Sequence, residues 1–578
     1  MDRIIQSYME SFLNSQQIEE TDQSKQFELF AAYCAVEQHY TEIFNLSDII
    51  TAEGGDCAID AFAIIINGTM VTSIEEIDDL IELNKKLSDI YFVFIQAKTS
   101  PNFDYGDMGT FGAGVKDFFS DHPQMVRNDL IEEKSRLIEY IFSKASFIKK
   151  KPSCYLYYIT TGKWVDDQNC SARMDIAKTD LLGLNLFDEV IYIPVGADML
   201  QKLYRSTIDV IETKIIFEDK ILLPEIENVT QSYLGFIDYK EYLKLITSEN
   251  GEIRKSVFYD NVRDYQGDNP VNHEMAETVL CDPNKFVLFN NGVTVICKKL
   301  TSLRNVFTLT DYQIVNGCQT SHVLFNNKDK ITEGLQVPIK LIETENDETV
   351  NQIIKATNRQ TQVLEEQLIA LNEFHRKLEA FYATFSGTNR LYYERRSKQY
   401  NYVTDIEKVR IVSIAMQIKS VASMFYDKPH LASRYYGKLL SSINGVFGED
   451  HQLLPYYTSA YSLYRLDYLF RNKTLPAQYR KFKYFILMLI KYDCAEEIIP
   501  EMNAYKMNKL CEKILKAVND TTKFVEKVSK LFSYIDEYID DISSNESTKS
   551  AALVDNLKSK YLPMFAEKIK HLQTSDTE

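Results

Sequence analysis

Two stretches decide how the front of the chain folds: Glu53 to Gly68, EGGDCAIDAFAIIING, and Tyr91 to Ser100, YFVFIQAKTS. Asp60 heads an apolar run, Ala61 to Ile66, that stops at Asn67-Gly68. That dipeptide is the strongest short hairpin signal, because both of its positions tolerate positive φ. Met70 to Ser73 reads as the return strand. Ile77, Leu80, Ile81 and Leu83 then fall at helical spacing within Ile74 to Leu87. A second apolar run, Ile90 to Ile95, delivers Gln96 and Lys98 at its polar end.

Strand period sets Gln96 and Lys98 on one face. A polar, a small and a basic residue at the end of a buried strand are accounted for by a divalent metal. Asp60, the Gln96 side-chain oxygen and the Ala97 carbonyl offer hard oxygen ligands suited to Mg²⁺, with Mn²⁺ as an alternative. Lys98 is placed to orient an attacking water and help deprotonate it, while the metal offsets charge on a scissile phosphate. The competing reading is a hairpin whose polar ends only mark strand termini. In this order the residues resemble the PD-(D/E)xK nuclease superfamily, in the Mrr-like form where Gln replaces the acid and a GGDxxID motif precedes it. The resemblance implies a restriction-endonuclease-like α/β sheet domain with Asp60, Gln96 and Lys98 as catalytic residues. Members often take a further acid from the first helix, and Phe27-Glu28 looks like that pair. Glu28 is therefore a candidate metal or water ligand, with Glu37 its rival.

At 578 residues the chain is too long for one core, and two or three domains are expected. A hydrophobic content of 45% and a charged content of 26% are those of a soluble globular protein. The net charge of −18 excludes a surface that is basic throughout, so any nucleic-acid binding rests on local patches. The nine cysteines are scattered, with no CxxC or CxH spacing, which argues against a zinc site and for a reducing, cytoplasmic compartment. The N-terminal MDRIIQSYMESFLNS lacks a signal-peptide apolar core, and no apolar run approaches the ~20 residues that span a bilayer. No membrane partner is expected.

Residues up to about Tyr40 read as helices. The glycine-rich stretch after Lys98, SPNFDYGDMGTFGAGVKDFF, lacks the GK[ST] of a phosphate loop and reads as a flexible loop beside a cleft. A helix over about Asn128 to Ala145 leads to Lys149-Lys150-Lys151, which offers either a phosphate contact or a solvated loop. Cys154 to Thr160 and Val190 to Pro194 read as buried strands alternating with helices, the pattern of an α/β sheet.

Beyond a linker at Pro224-Glu225 come the most distinctive words: NVRDYQGDNPVN (Asn261 to Asn272), FNNGVTVICK (Phe289 to Lys298), YQIVNGCQTSHVL (Tyr312 to Leu324), VPIKLIET (Val337 to Thr344) and IIKATNRQTQV (Ile353 to Val363). Each sets Asn, Gln or Thr beside a strand or turn, where such side chains bond nearby backbone. Together with GGDCAID, QAK and RLYYERRSKQY (Arg390 to Tyr400), these words resemble the abortive infection phage resistance (AIPR) family. The resemblance implies prokaryotic anti-phage defence, with a metal-dependent endonuclease acting on phage or host DNA. Arg263, Asn291, Asn316, Gln319, Thr320 and Asn358 are the candidates to line one polar cleft for a phosphate-bearing ligand or the DNA backbone. Gln96 in place of an acid removes a negative charge from the metal site. An alternative is therefore a nucleic-acid- or nucleotide-binding sensor with an inactive nuclease-like domain.

From about residue 367 the pattern is helical. Arg390 to Tyr400 interleaves cations with aromatics, the composition of a base-stacking platform and equally of a packed edge held by an ion pair through Glu394. The last helices (Lys509 to Lys516, Lys523 to Ile542, Val554 to Leu572) are amphipathic and offer a surface for homo-oligomers. The expected architecture is three domains: nuclease-like α/β at 1–215, a central α+β AIPR domain at 216–366, and an all-helical region at 367–578.

Overall fold

The computed structural model describes residues 2–40, 42–51, 55–248, 251, 253–254, 257–258, 270–357, 373–395, 399–400, 403, 405–434, 436–443, 445–495, 498–539, 542 and 546–561. Helices α1 (Arg3–Ser15) and α2 (Gln23–Val36) start at Asp2 and Asp22, whose carboxylates accept the amides of Ile4 and Ser24. Such N-caps satisfy amides that a helix start leaves without partners. Strands β1 (Ala61–Ile66) and β2 (Thr69–Met70) meet at Asn67 (φ 48°) and Gly68 (φ 77°), the paired positive φ of a type I′ turn. Asn67 Oδ1 also accepts the amides of Ser88 and Asp89 at 2.9 and 3.2 Å, tying the hairpin tip to the next strand.

Helix α3 (Ile74–Asn84), capped by Ser73, leads to β3 (Ile90–Lys98), antiparallel to β1 in the register Ala61↔Ile95 through Ile66↔Ile90. Helices α4 (Tyr105–Phe118) and α5 (Asp129–Ser143) precede β4 (Ser153–Thr160). Helix α6 (Gln168–Gly183), β5 (Glu189–Val195) and α7 (Ala197–Ile208) follow. β4 joins β3 in parallel and β5 joins β4, giving the order β2-β1-β3-β4-β5. Every residue of β1 and β4 is buried, as in a strand covered on both faces. One face buries Phe62, Phe94 and Leu156 with Phe111 and Phe118 of α4 and Ile138 of α5. α2 packs against β3, and its Phe30 meets Tyr204 of α7 edge-on at 5.1 Å.

The glycine-rich stretch expected as a flexible loop is helix α4. A Cβ on Gly112 would lie 2.6 Å from the Ala177 Cβ in α6, and one on Gly114 would lie 1.8 Å from the Cys57 carbonyl oxygen. These glycines serve close approach, not mobility, and Asp104 caps the helix that carries them.

A second sheet runs in the order β6-β10-β9-β11-β8-β7: β6 (Glu212–Ile216), β7 (Asp219–Leu222), β8 (Gln231–Asp238), β9 (Val293–Leu303), β10 (Val306–Asn316) and β11 (Gln336–Glu343). Neighbours are antiparallel except β9 and β11. One core joins this sheet to α8 (Tyr239–Ile246), α9 (Pro270–Cys281), α10 (Phe286–Phe289) and α11 (Cys318–Asn326). A smaller cluster sets Val350 of α12 (Asp347–Thr357) on Ile296, Val315 and Ile342.

The remainder is helical: α13 (Glu373–Tyr382), α14 (Ile414–Phe425), α15 (Tyr436–Ser442), α16 (Leu454–Arg471), α17 (Lys483–Cys494), α18 (Tyr505–Asn519), α19 (Thr521–Asp536) and α20 (Ala551–Ser559). It is not all-helical, because β12 (Tyr392–Glu394) and β13 (Ile411–Ser413) pair in parallel. Val528, Leu531 and Ile535 of α19 and Leu553 and Leu557 of α20 are buried in the same core as α16 and α17. Among the described residues these helices bury apolar faces within the chain; residues 562–572 of the expected last helix lie outside the described residues.

Where the sequence divides at 215 and 366 into three domains, the structure groups the chain into two compact units. One unites Met1–Thr207 with Asn372–Glu578, and the other is Ile208–Leu371. A seam of charge joins the two segments of the first. In α3, Glu75, Glu76 and Asp79 pair with Lys549, Lys419 and Arg434 at 2.7, 3.2 and 2.8 Å, and Asp48 pairs with Arg480 at 2.9 Å. Gln17 bonds Glu407 and Tyr464, each at 2.8 Å. Partners hundreds of residues apart leave no periodic trace in sequence. No helix among the described residues is long and apolar enough to cross a membrane.

Candidate active site

The loop before β1 holds positive φ at Gly55 (71°), Cys57 (55°) and Ala58 (61°). For the two non-glycine residues that conformation costs about 1 kcal/mol or more each. Local contacts hold it in place. Asp56 Oδ1 accepts the Ala58 amide at 2.9 Å, the Asp56 carbonyl accepts the Ile59 amide at 2.9 Å, and the Gly55 carbonyl accepts the Asn128 amide at 2.8 Å. Gly114 of α4 closes on the Cys57 carbonyl. Sequence expectations name Asp60 alone in this loop. Asp56 is the residue they miss, and its signal was its place in the GGD triplet.

The loop delivers Asp60 to the end of β3. Its amide donates to the Ile95 carbonyl at 2.9 Å, and its Oδ2 accepts the Ala97 amide at 2.7 Å. The β1–β3 register ends at Ala61↔Ile95, so Asp60 stands just before β1, beside the end of β3. Gln96 is 2% exposed, and its Oε1 has no hydrogen-bond partner among the described residues. Lys98, two residues on, pairs in register with Thr160 of β4. From α2, Glu28 accepts a hydrogen bond from Ser24 Oγ at 3.4 Å.

Charge ties Glu28, Asp60 and Lys98 into one site. Burial pushes the Asp60 carboxyl up to about 7; the Ala97 amide opposes that rise, the Glu28 charge adds to it, and Lys98 opposes it. Burial also raises the Glu28 carboxyl, against the Ser24 hydrogen bond and the Lys98 charge. Two part-buried carboxyls, both raised by burial, and the buried Gln96 oxygen, unpaired among the described residues, offer hard donors that a cation would stabilise. The residues present therefore fit a divalent metal, with Asp60, Gln96 and the Ala97 carbonyl as donors. The acids are few: among the described residues no group of three or more His, Cys, Asp or Glu side chains gathers in metal-holding range. Of the three lysines beyond α5, Lys150 is paired with Asp188 at 2.9 Å and Lys151 donates to Asn185 Oδ1 at 2.6 Å.

In the other unit the polar words meet at one edge of the second sheet. Asn290 Nδ2 donates to Thr320 Oγ1 at 3.0 Å, and Asn290 Oδ1 accepts the Gly292 amide at 2.9 Å. Asn272 Nδ2 donates to Gln319 Oε1 at 2.8 Å. Gly292 (φ 84°) would place a Cβ 3.0 Å from the Pro338 carbonyl, and Gly317 (φ 109°) would place one 2.7 Å from Val293. Asn316 ends β10 opposite Thr294, and Asn291 is exposed beside this latch. Thr320 and Gln319 spend hydrogen bonds on residues of the same unit. Arg263 and Asn358 lie outside the described residues.

The class defined by this architecture is a mixed α/β chain with a helical C-terminal region. Compared with known families, residues 258–566, more than half of the chain, match the family model described as AIPR protein. The chain belongs to the AIPR family, whose name ties it to abortive-infection defence. No curated protein and no solved structure matches the chain.

Proposed function

We propose that this protein is a metal-dependent DNA endonuclease of abortive-infection defence, hydrolysing phosphodiester bonds at Asp60, Gln96, Ala97, Lys98 and Glu28. One observation supports it above the others: the buried Gln96 Oε1 has no hydrogen-bond partner among the described residues, and the next residue, Ala97, donates its amide to the Asp60 carboxylate. When bound, Mg²⁺ or Mn²⁺ supplies Lewis-acid charge to the scissile phosphate. Asp60, Gln96 and the Ala97 carbonyl hold it, and the Ala97 amide fixes the Asp60 carboxylate for that task. Lys98 Nζ binds the attacking water and offsets negative charge as it develops on the phosphate. Glu28 takes the water proton on its carboxylate, whose raised affinity for a proton favours the role of base.

The sensor reading draws on a different observation, that acidic side chains around the site are few and Gln96 is neutral. One assay separates the two. Supercoiled plasmid and linear phage DNA are incubated with Mg²⁺, Mn²⁺ or EDTA and with wild type or Lys98→Ala. Nicking that needs the metal and disappears in the variant supports the nuclease. No cleavage of double- or single-stranded DNA, or of RNA, under either metal favours the sensor.

A further inference from the structure

Helix α13, strand β12 and the residues around them line an open pocket of about 300 Å³ that shares no residue with the candidate active site. We propose that this pocket binds a nucleotide, an aromatic base carrying a phosphate, either free or within a single strand. The inference goes beyond the nuclease reading and stands independently of it.

Size comes first. Small-molecule sites begin near ~300 Å³, which accommodates a mononucleotide and little more. The walls are the second observation. Tyr392 and Tyr400 line the pocket with ring centroids 5.5 Å apart and planes at 60°, and aromatic faces are what bases stack on. Tyr382 and Tyr393, both fully buried, form the floor. Each is locked by a polar partner beneath it: Tyr393 OH to His375 Nδ1 and Tyr382 OH to Gln417 Oε1, both at 2.5 Å. A floor held in this way is formed before any ligand arrives, so little ordering cost remains at binding.

Charge is the third observation, and it separates a nucleotide from a neutral aromatic. Glu379, on the pocket wall, is spent internally, accepting from Arg395 Nε, Gln399 Nε2 and Tyr400 OH. Arg390 is anchored through Nη1 to the carbonyls of Tyr382 and Phe385 at 2.8 and 3.2 Å, and its guanidinium lies 4.9 Å from the Tyr392 ring centroid. Its Nε and Nη2 have no hydrogen bond among the described residues. Arg376 stands exposed at the rim. Nearby Glu394 is 4% exposed, and burial pushes its carboxyl up to about 8, so it brings little negative charge at neutral pH. The pocket is therefore positive in a chain of net charge −18. Arginine forks match phosphate oxygens.

Binding is measured on the full chain in EDTA, which decouples it from cleavage. The probes are AMP, dTMP, adenosine, inorganic phosphate and a 5′-phosphorylated oligo-dT. Saturable binding of AMP or dTMP is expected, about tenfold or more tighter than adenosine or phosphate alone. Arg376→Glu, at an exposed position, and Tyr392→Leu should each weaken it at least about tenfold with the thermal midpoint of the former unchanged. An oligonucleotide that binds more tightly than the mononucleotide identifies a strand as the source, and equal affinity identifies a free nucleotide. The proposal is overturned if no nucleotide or oligonucleotide saturates, or if both variants bind as wild type does.

Discussion

The Ala97 amide donates to Asp60 Oδ2 across 2.7 Å, joining positions 37 residues apart at the end of the first sheet. This bond holds the carboxylate at the end of β3, next in sequence to the buried Gln96, and burial raises its affinity for a proton. Asp60→Asn keeps an acceptor for the amide and removes the charge. In EDTA at about pH 8, the variant should melt at or above the wild-type temperature, because the ionised Asp60 carboxylate is the destabilised form. Added Mg²⁺ should raise the wild-type midpoint and leave the variant unmoved, and cleavage should fall about a hundredfold or more. A metal-induced shift that survives in Asp60→Asn would remove Asp60 from the donor set.

Gly114 and Gly183 make a matched pair. A Cβ at Gly114 would meet the Cys57 carbonyl at 1.8 Å, whereas one at Gly183 meets nothing within 4 Å. Gly114→Ala should destabilise by about 2–4 kcal/mol, since backbone must move and the strained loop before Asp60 shifts with it. Gly183→Ala, at the end of α6, should be neutral or stabilise by up to about 1 kcal/mol. Urea unfolding followed by circular dichroism measures both.

Lys419 reaches Glu76 at 3.2 Å, and Glu76 is 6% exposed. Lys419→Met takes the paired cation from a buried carboxylate that keeps its bonds from the Thr72 amide and hydroxyl, and should cost about 2–3 kcal/mol, whereas the double variant with Glu76→Gln should recover part of that loss. Because the pair bridges the N-terminal and C-terminal segments of one unit, the sheet and the helices should lose structure in the same transition. Separate transitions by hydrogen exchange would show that the seam does not couple them.

Glu394 supplies a pH test. Its carboxyl rises from 4.5 to about 8, first through burial and then through the Glu42 charge, against the Tyr400 amide and Lys408. The folded state therefore holds a proton that the unfolded chain has released. The group's contribution is fully present below the unfolded value and is lost as pH climbs to about 8, at no more than about 1.4 kcal/mol per pH unit. Glu394→Gln should match wild type near about pH 4 and exceed it in urea midpoint near about pH 8, with a flatter profile between. Parallel profiles for the two proteins would refute this account of Glu394.

The first hairpin was legible from its residues. The apolar run of β1, Asn67-Gly68 at its tip and the capping residues of α1 to α3 are local decisions, made within a few bonds by backbone sterics and by amides seeking acceptors. The same holds for β3, whose apolar run ends where Gln96 and Lys98 begin, and for the family words between Asn272 and Thr357. In the stretch Arg390 to Tyr400 composition offered a base-stacking platform and equally a packed edge with an ion pair through Glu394. Among the described residues an ion pair joins Arg395 to Glu379, and Glu394 is buried.

Other features waited on the tertiary structure, because they depend on what each residue meets across space. Glycines 112 and 114 read as flexibility until Ala177 and Cys57 came within reach of their missing side chains. Asn290 read as a turn residue and Thr320 as a cleft candidate, and only the fold shows that the two bond each other. Local sequence sets the elements and the residue types at their ends. Long-range packing alone decides that the first 207 residues and the last 207 share one unit, because burial and ion pairing depend on spatial neighbours, which periodicity along the chain does not encode.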